Sequence, residues 1–201
     1  KNKKIFKKLK NIIVSLKIFP TLLNQEREQI IFSKYDNLNK IGLKLFIDKN
    51  NKLFFTINNF KISVQDKLSE NKWHSLEAGY EHKKGIFFIF LKKYDEDNNI
   101  LSISKNKKII KQNLNFYNIN NLYLAAQNDD NKIVNFFNGK LDSFKFFIMN
   151  NPSLNSKNKK KFIDLDFSKK ISSNKIIDNS SNKLNGILFN GAVSPPCVIN
   201  P

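Results

Sequence analysis

NKWHSLEAGYEHKKGIFFIFLK, residues Asn71 to Lys92, is the stretch on which the reading of the whole chain turns. From Trp73 to Glu81 the side chains alternate, with Trp73, Ser75, Glu77 and Gly79 on one face and His74, Leu76, Ala78 and Tyr80 on the other. After a turn through Lys83, Lys84 and Gly85, the run Ile86 to Leu91 is apolar on both faces. Strict alternation marks a half-buried strand, and a short unbroken apolar run marks a strand covered on both sides. Together they predict a hairpin in the middle of a β-sandwich.

Working outward, the same period recurs. Ile12 to Phe19 sets Val14, Leu16 and Ile18 against Ser15 and Lys17, and Pro20 ends the run. Gln29 to Ser33, Gly42 to Asp48, Leu53 to Ile57 and Phe60 to Val64 form a meander with Asn-rich and Asp-rich turns between them. Downstream, Ile100 to Ile110 and Leu114 to Tyr117 are strand-like, Leu122 to Ala126 is a clearer strand, and Gln127 to Lys132 is a polar loop. Lys140 to Met149 alternates Phe144, Phe146 and Ile148 against Ser143, Lys145 and Phe147. A polar linker from Asn150 to Lys161 precedes extended runs from Phe162 to Phe167 and from Gly186 to Phe189. Strands parted by turns every eight to twelve residues or so predict a sandwich or jelly roll. The expected organisation is a basic lead-in over 1–11, one sandwich over 12–193 and a C-terminal loop over 194–201.

The chain has 201 residues, room for one sandwich with a full core, and carries a formal charge of +18. That charge is almost all lysine: Arg27 is the only arginine, whereas base and phosphate recognition favours the guanidinium fork. Abundant Lys, Asn, Ile and Phe with few Gly, Pro and Arg match an A+T-rich coding bias, so no specific nucleic-acid partner is expected. Non-specific polyanion attraction through the lysines is the remaining reading of the charge. Ile5, Phe6 and Leu9 make too short an apolar face to predict a membrane partner. One cysteine, Cys197, precludes an intrachain disulfide and leans towards a reducing, cytoplasmic compartment. A chain opening on Lys1 and closing in a Pro-rich loop is expected to belong to a longer polypeptide, with other domains or subunits as partners.

Residue by residue, no catalytic, cofactor or metal site is predicted. His74 and His82 are too far apart along a strand and its turn to share a metal. Asp95, Glu96 and Asp97 lack the spacing and turn glycine of a calcium loop. Glu77 and Glu81 have the parity for one face but are expected as solvent decoration. If a ligand face exists, Trp73 and Tyr80 on the hairpin and Gln127, Asp129, Asp130 and Asn131 in the polar loop are its candidates. Trp73 is also a core candidate, for which truncation to alanine is expected to cost about 3–5 kcal/mol. The 19 phenylalanines point either to surfaces facing a partner or to coding bias filling an ordinary core.

Three segments carry a family resemblance: KWHSLEAGYEHKKGIFFIFL, NLYLAAQNDDNKIVNFFNGKLDSFKFF and DFSKKISSNKIIDNSSNKLNGILFNG. Their Trp-His strand before a hairpin, the pattern of Phe137, Gly139 and Asp142, and the Asp-x-Ser-x-Asn turn from Asp178 to Gly186 resemble laminin G and concanavalin A-like domains. The resemblance implies an all-β, concanavalin A-like (laminin G-like) jelly-roll β-sandwich of two antiparallel sheets. The C-terminal placement of the Asp178 turn is similar to the middle region of the N,N-dimethylformamidase large (beta) subunit. That family implies a non-catalytic accessory module beside an iron-dependent amidohydrolase domain, none of whose ligand motifs occurs here. The continuation from Val193 to Pro201 departs from the family pattern. A free-standing lectin-like module binding carbohydrate or protein is the alternative.

Overall fold

The computed structural model describes residues 11–112, 114, 120–149, 159–167 and 175–188. The lead-in over 1–10, the C-terminal loop with Cys197, most of the linker after Met149, and Leu114 to Tyr117 beyond Leu114 itself lie outside the described residues. All regular structure among the described residues is strand. In chain order these are β1 (Ile12–Pro20), β2 (Gln29–Asp36), β3 (Ile41–Ile47), β4 (Lys52–Ile57), β5 (Phe60–Lys67), β6 (His74–Glu81), β7 (Ile86–Tyr94) and β8 (Ile100–Ile109). Then come β9 (Tyr123–Leu124), β10 (Gln127–Asp129), β11 (Lys132–Val134), β12 (Gly139–Met149), β13 (Lys159–Leu165), β14 (Lys175–Ile176) and β15 (Gly186–Ile187).

Two antiparallel sheets face each other. One has six strands in the order β13-β12-β1-β6-β7-β8, the other five in the order β5-β4-β3-β2-β9. The predicted hairpin pairs β6 with β7 from His74–Lys93 to Glu81–Ile86, inside the six-stranded sheet. Its alternation is obeyed: His74, Leu76, Ala78 and Tyr80 are buried between the sheets, and so are Phe87, Ile89 and Leu91. Aromatic rings bridge the layers. Phe32 lies 5.7 Å from Phe144 and 6.3 Å from Phe146, and Phe55 lies 5.2 Å from Phe87. Most of the described phenylalanine therefore fills the fold, and Phe136 is the one that is exposed among the described residues.

The outer face of the six-stranded sheet explains why β7 is apolar on both sides. Ile13 and Phe88 are buried there, with Ile86, Phe90 and Phe147 packed around them. Phe88 lies across Gly79, where an added Cβ would come within 2.4 Å of the Ile12 carbonyl oxygen and 2.8 Å of the ring. Glycine in a strand interior marks such a close approach. Gly79→Ala is expected to cost about 1–3 kcal/mol as an overpacked site, read as a lower urea midpoint at unchanged slope. Glu81, expected as solvent decoration, is fully buried on this face and pairs with Lys84 at 3.0 Å. The tight turn folds that lysine back over it.

Turns in this glycine-poor chain rely on asparagine. Of the 12 non-glycine residues with positive φ among those described, seven are Asn, which tolerates the left-handed region better than most residues. The segment Gln127 to Lys132, expected as a loop, is instead a small hairpin of β10 and β11. Asp130 and Asn131, at φ 47° and 62°, supply the two left-handed positions of a two-residue turn.

The Asp178 turn is a second ordered device. Its buried carboxylate accepts from the Asp164 and Ser180 amides on one oxygen, both at 2.8 Å, and from Ser180 Oγ and the Leu184 amide on the other, both at 2.7 Å. The Asp178 amide donates to Asn185 Oδ1 at 2.9 Å, and the Asn179 amide to the Asp164 carbonyl at 2.8 Å. Asp178 also bridges Leu165, so this turn lies along the outer side of β13.

Candidate functional site

The outer face of the six-stranded sheet divides into two halves. At one end is the apolar cluster around Phe88; at the other, three strands, the residue preceding β6 and the β7–β8 turn contribute polar and aromatic side chains. A cavity of about 340 Å³ is lined there by Lys17, Trp73, Tyr94, Asn98 and Asp142. Lys17 lies directly between Ser75 of β6 and Asp142 of β12 across the sheet. The same parity that buries Val14, Leu16 and Ile18 turns Lys17 outward.

Each wall has its own support. Trp73, half-buried, packs on Phe19 with ring centroids 5.4 Å apart, and Lys140 Nζ lies 5.3 Å from the far ring of that pair. Tyr94 is fixed by its hydroxyl, 2.9 Å from Ser75 Oγ. The β1–β12 register shifts between Ser15 and Lys17, and in that bulge Ser143 takes φ 53°. Its amide donates to Asp142 Oδ1 at 2.7 Å and its hydroxyl to Oδ2 at 3.0 Å. Bulges re-aim side chains, and this one leaves a held carboxylate facing the cavity. Asn98, at φ 62° in the turn where Asp95 accepts from the Asp97 and Asn99 amides at 3.0 and 2.8 Å, closes the rim.

The sequence candidates fall in three places. Trp73 lines the cavity and is not in the core, because its parity places it outside the sheet. Tyr80 is removed from any ligand face: it is 1% exposed between the sheets, its hydroxyl donating to the Gln112 carbonyl at 3.3 Å, and burial raises its pKa. Gln127 is buried, whereas Asp129, Asp130 and Asn131 are exposed on the β10–β11 hairpin. Asp129 accepts from Asn37 of the β2–β3 turn at 2.9 Å, and none of the four lines the cavity with Trp73. Lys17, Tyr94, Asn98 and Asp142 were missed. The outward parity of Lys17 and Tyr94 was available, but Asn98 sits in a turn, the bulge at Ser143 re-aims Asp142, and the convergence of all four depends on strand order.

Directly behind Trp73, His74 is 1% exposed in the interior. Its Nε2 lies 3.0 Å from the Ser69 carbonyl oxygen, and Nδ1 has no hydrogen-bond partner among the described residues. Burial lowers its pKa, the charges of Lys93 and Lys72 push the same way, and the Ser69 bond opposes them. A folded-state pKa below the unfolded one means that the unfolded chain takes the proton first. Stability is therefore complete above the unfolded value of about 6.5 and falls as pH drops through and below it. His74→Leu is expected to flatten that slope in urea titrations run between about pH 7.5 and 5.

No protein-family model matches the sequence, and no curated protein matches it. Solved structures do match. The chain superposes with TM-score 0.64 and 11% identity on a candidate carbohydrate binding protein from Bacteroides ovatus, over 89% of this chain and 52% of that one. It thus spans about half the length of that protein. The CBM40 of the Ruminococcus gnavus IT-sialidase, bound to α2,3-sialyllactose, gives TM-score 0.51 at 10% identity, over 68% of this chain and 74% of that one. Domains LG4-5 of the mouse laminin α1 chain give 0.48 at 14%, over 78% and 37%. At such identities the likeness establishes the fold alone: the chain is an all-β jelly-roll sandwich of two antiparallel sheets.

Proposed function

We propose that this chain is a non-catalytic carbohydrate-binding module and that its ligand lies in the cavity beside Trp73. The observation that carries the reading is the convergence of two aromatic side chains with Lys17, Asp142 and Asn98 in one space of about 340 Å³. Small-ligand sites combine an apolar wall with a few placed polar groups. The C–H face of a sugar ring fits against the indole of Trp73. Lysine donates to ring hydroxyls, the held Asp142 carboxylate accepts from them, and the Asn98 amide can do both. The carbohydrate-binding descriptions of two proteins of similar fold support the same class of partner.

The test is a glycan microarray followed by calorimetry on the glycans retained. Binding is expected for the natural chain and for Asp129→Ala/Asp130→Ala, with loss in Asp142→Ala. The reverse pattern would move the site to the β10–β11 hairpin, and the absence of any bound glycan would overturn the reading. Attraction of heparin that collapses with added salt, without glycan selectivity, would favour the polyanion alternative. A second reading, an accessory sandwich of an amidase-like enzyme, rests on the Asp178 to Gly186 turn, and the reading frame beyond Pro201 tests it.

A further inference from the structure

We propose that β8 is a docking edge for an extended acidic segment of a partner protein, which adds to the six-stranded sheet as a further antiparallel strand. β8 spans ten residues at the end of that sheet and, among the described residues, pairs only with β7. A strand so placed leaves a row of backbone N–H and C=O groups unpaired, a ready template for another chain. The side chains on its inner face are engaged elsewhere. Ser102 Oγ donates to Asp66 at 3.0 Å, Ser104 Oγ accepts from the Asp66 amide at 3.3 Å, and Asn106 donates to the Ser63 carbonyl at 2.8 Å. These bonds hold β8 against β5, and among the described residues no strand pairs with its other side.

What β8 shows to solvent defines the occupant. On its outer face Ile103, Lys105, Lys107 and Ile109 stand opposite Lys92, Phe90, Phe88 and Ile86 of β7. Ile103 is 55% and Ile109 67% exposed. Lys105, Lys107 and Lys108 are exposed, and none forms an ion pair among the described residues. Lysines on an edge prevent identical edges from pairing, since like charges would meet across the ladder. The same lysines favour carboxylates at those positions. The complementary strand therefore reads aliphatic, x, acid, x, acid, x, aliphatic, placing its acids across from Lys107 and Lys105 and its aliphatics across from Ile109 and Ile103. Main-chain bonds then supply affinity and the alternate side chains supply selectivity.

The probe is the capped peptide Thr-Ile-Thr-Glu-Thr-Glu-Thr-Ile-Thr, with a lysine-for-glutamate version as control. Fluorescence polarisation should show the acidic peptide binding and the basic one not. Amide exchange should slow along residues 100–109 on binding. Lys105→Glu/Lys107→Glu changes two exposed positions, so circular dichroism should be unchanged while acidic-peptide affinity falls about tenfold or more and the basic peptide begins to bind. Equal binding of both peptides, slowed exchange elsewhere in the chain, or peptide-free dimerisation through β8 in the ultracentrifuge would overturn the proposal.

Discussion

Asp178→Ala should lower the unfolding free energy by about 3–5 kcal/mol, among the largest losses expected from a single polar side chain here. The carboxylate is fully buried and takes hydrogen bonds from three backbone amides and one hydroxyl. Removing it strands those donors in a site that packing has closed, and each buried donor without an acceptor costs about 1–3 kcal/mol before water relaxes the loss. For a chain of this size the melting point should fall by roughly 10 °C. Asp178→Asn keeps one acceptor oxygen and should lose about half as much. The pH dependence agrees in sign. Burial alone would raise the Asp178 pKa, but the bonds from Asp164, Ser180 and Leu184 outweigh it and the net shift is downward. Its contribution is therefore present above the ordinary carboxylate pKa and lost as pH falls from there through the folded value. A melting point for Asp178→Ala within a degree or two of the natural chain would show that the turn is not an anchor.

Trp73→Ala is expected to weaken glycan binding by about 30-fold or more, the weight of a central aromatic contact of roughly 2 kcal/mol. The same change should cost only about 1–2 kcal/mol in stability, because a half-buried ring leaves less apolar area behind than a core residue. Reading Trp73 as core predicted the opposite balance. The structure corrects it through parity: Trp73 is out of phase with Leu76, Ala78 and Tyr80 and rests on Phe19 outside the sheet. Tyr94→Phe is the milder companion. It removes only the hydroxyl bonded to Ser75 and should reduce affinity less than loss of the indole. Calorimetry beside urea unfolding separates the outcomes, and a large stability loss with intact binding would reject the cavity as the site.

The sequence made the long strands legible because period two is written into them. Val14, Leu16 and Ile18 on β1, Leu76 to Tyr80 on β6 and Phe144 to Ile148 on β12 each face the core as alternation required. Short strands were not. β9, β10 and β11 have two or three residues each, too few for any period, and Asp130-Asn131 is a less telling hairpin turn than Asn-Gly. The site was partly visible, in Trp73 alone. Its other members come from β1, β7, β12 and a turn, and only the neighbour relations of β12, β1 and β6 bring them together. Glu81 was misjudged for a related reason: nothing local announces that Lys84 folds back over it.

The two borders of the six-stranded sheet are unlike. Along β13, the bridge from Leu165 to Asp178 and the Asn179 amide on Asp164 already fill places that an incoming backbone would need. Among the described residues, the Asp164–Leu165 end of β13 thus offers an incoming strand less free backbone than β8 does. A guest strand is therefore directed to the β8 flank of this sheet.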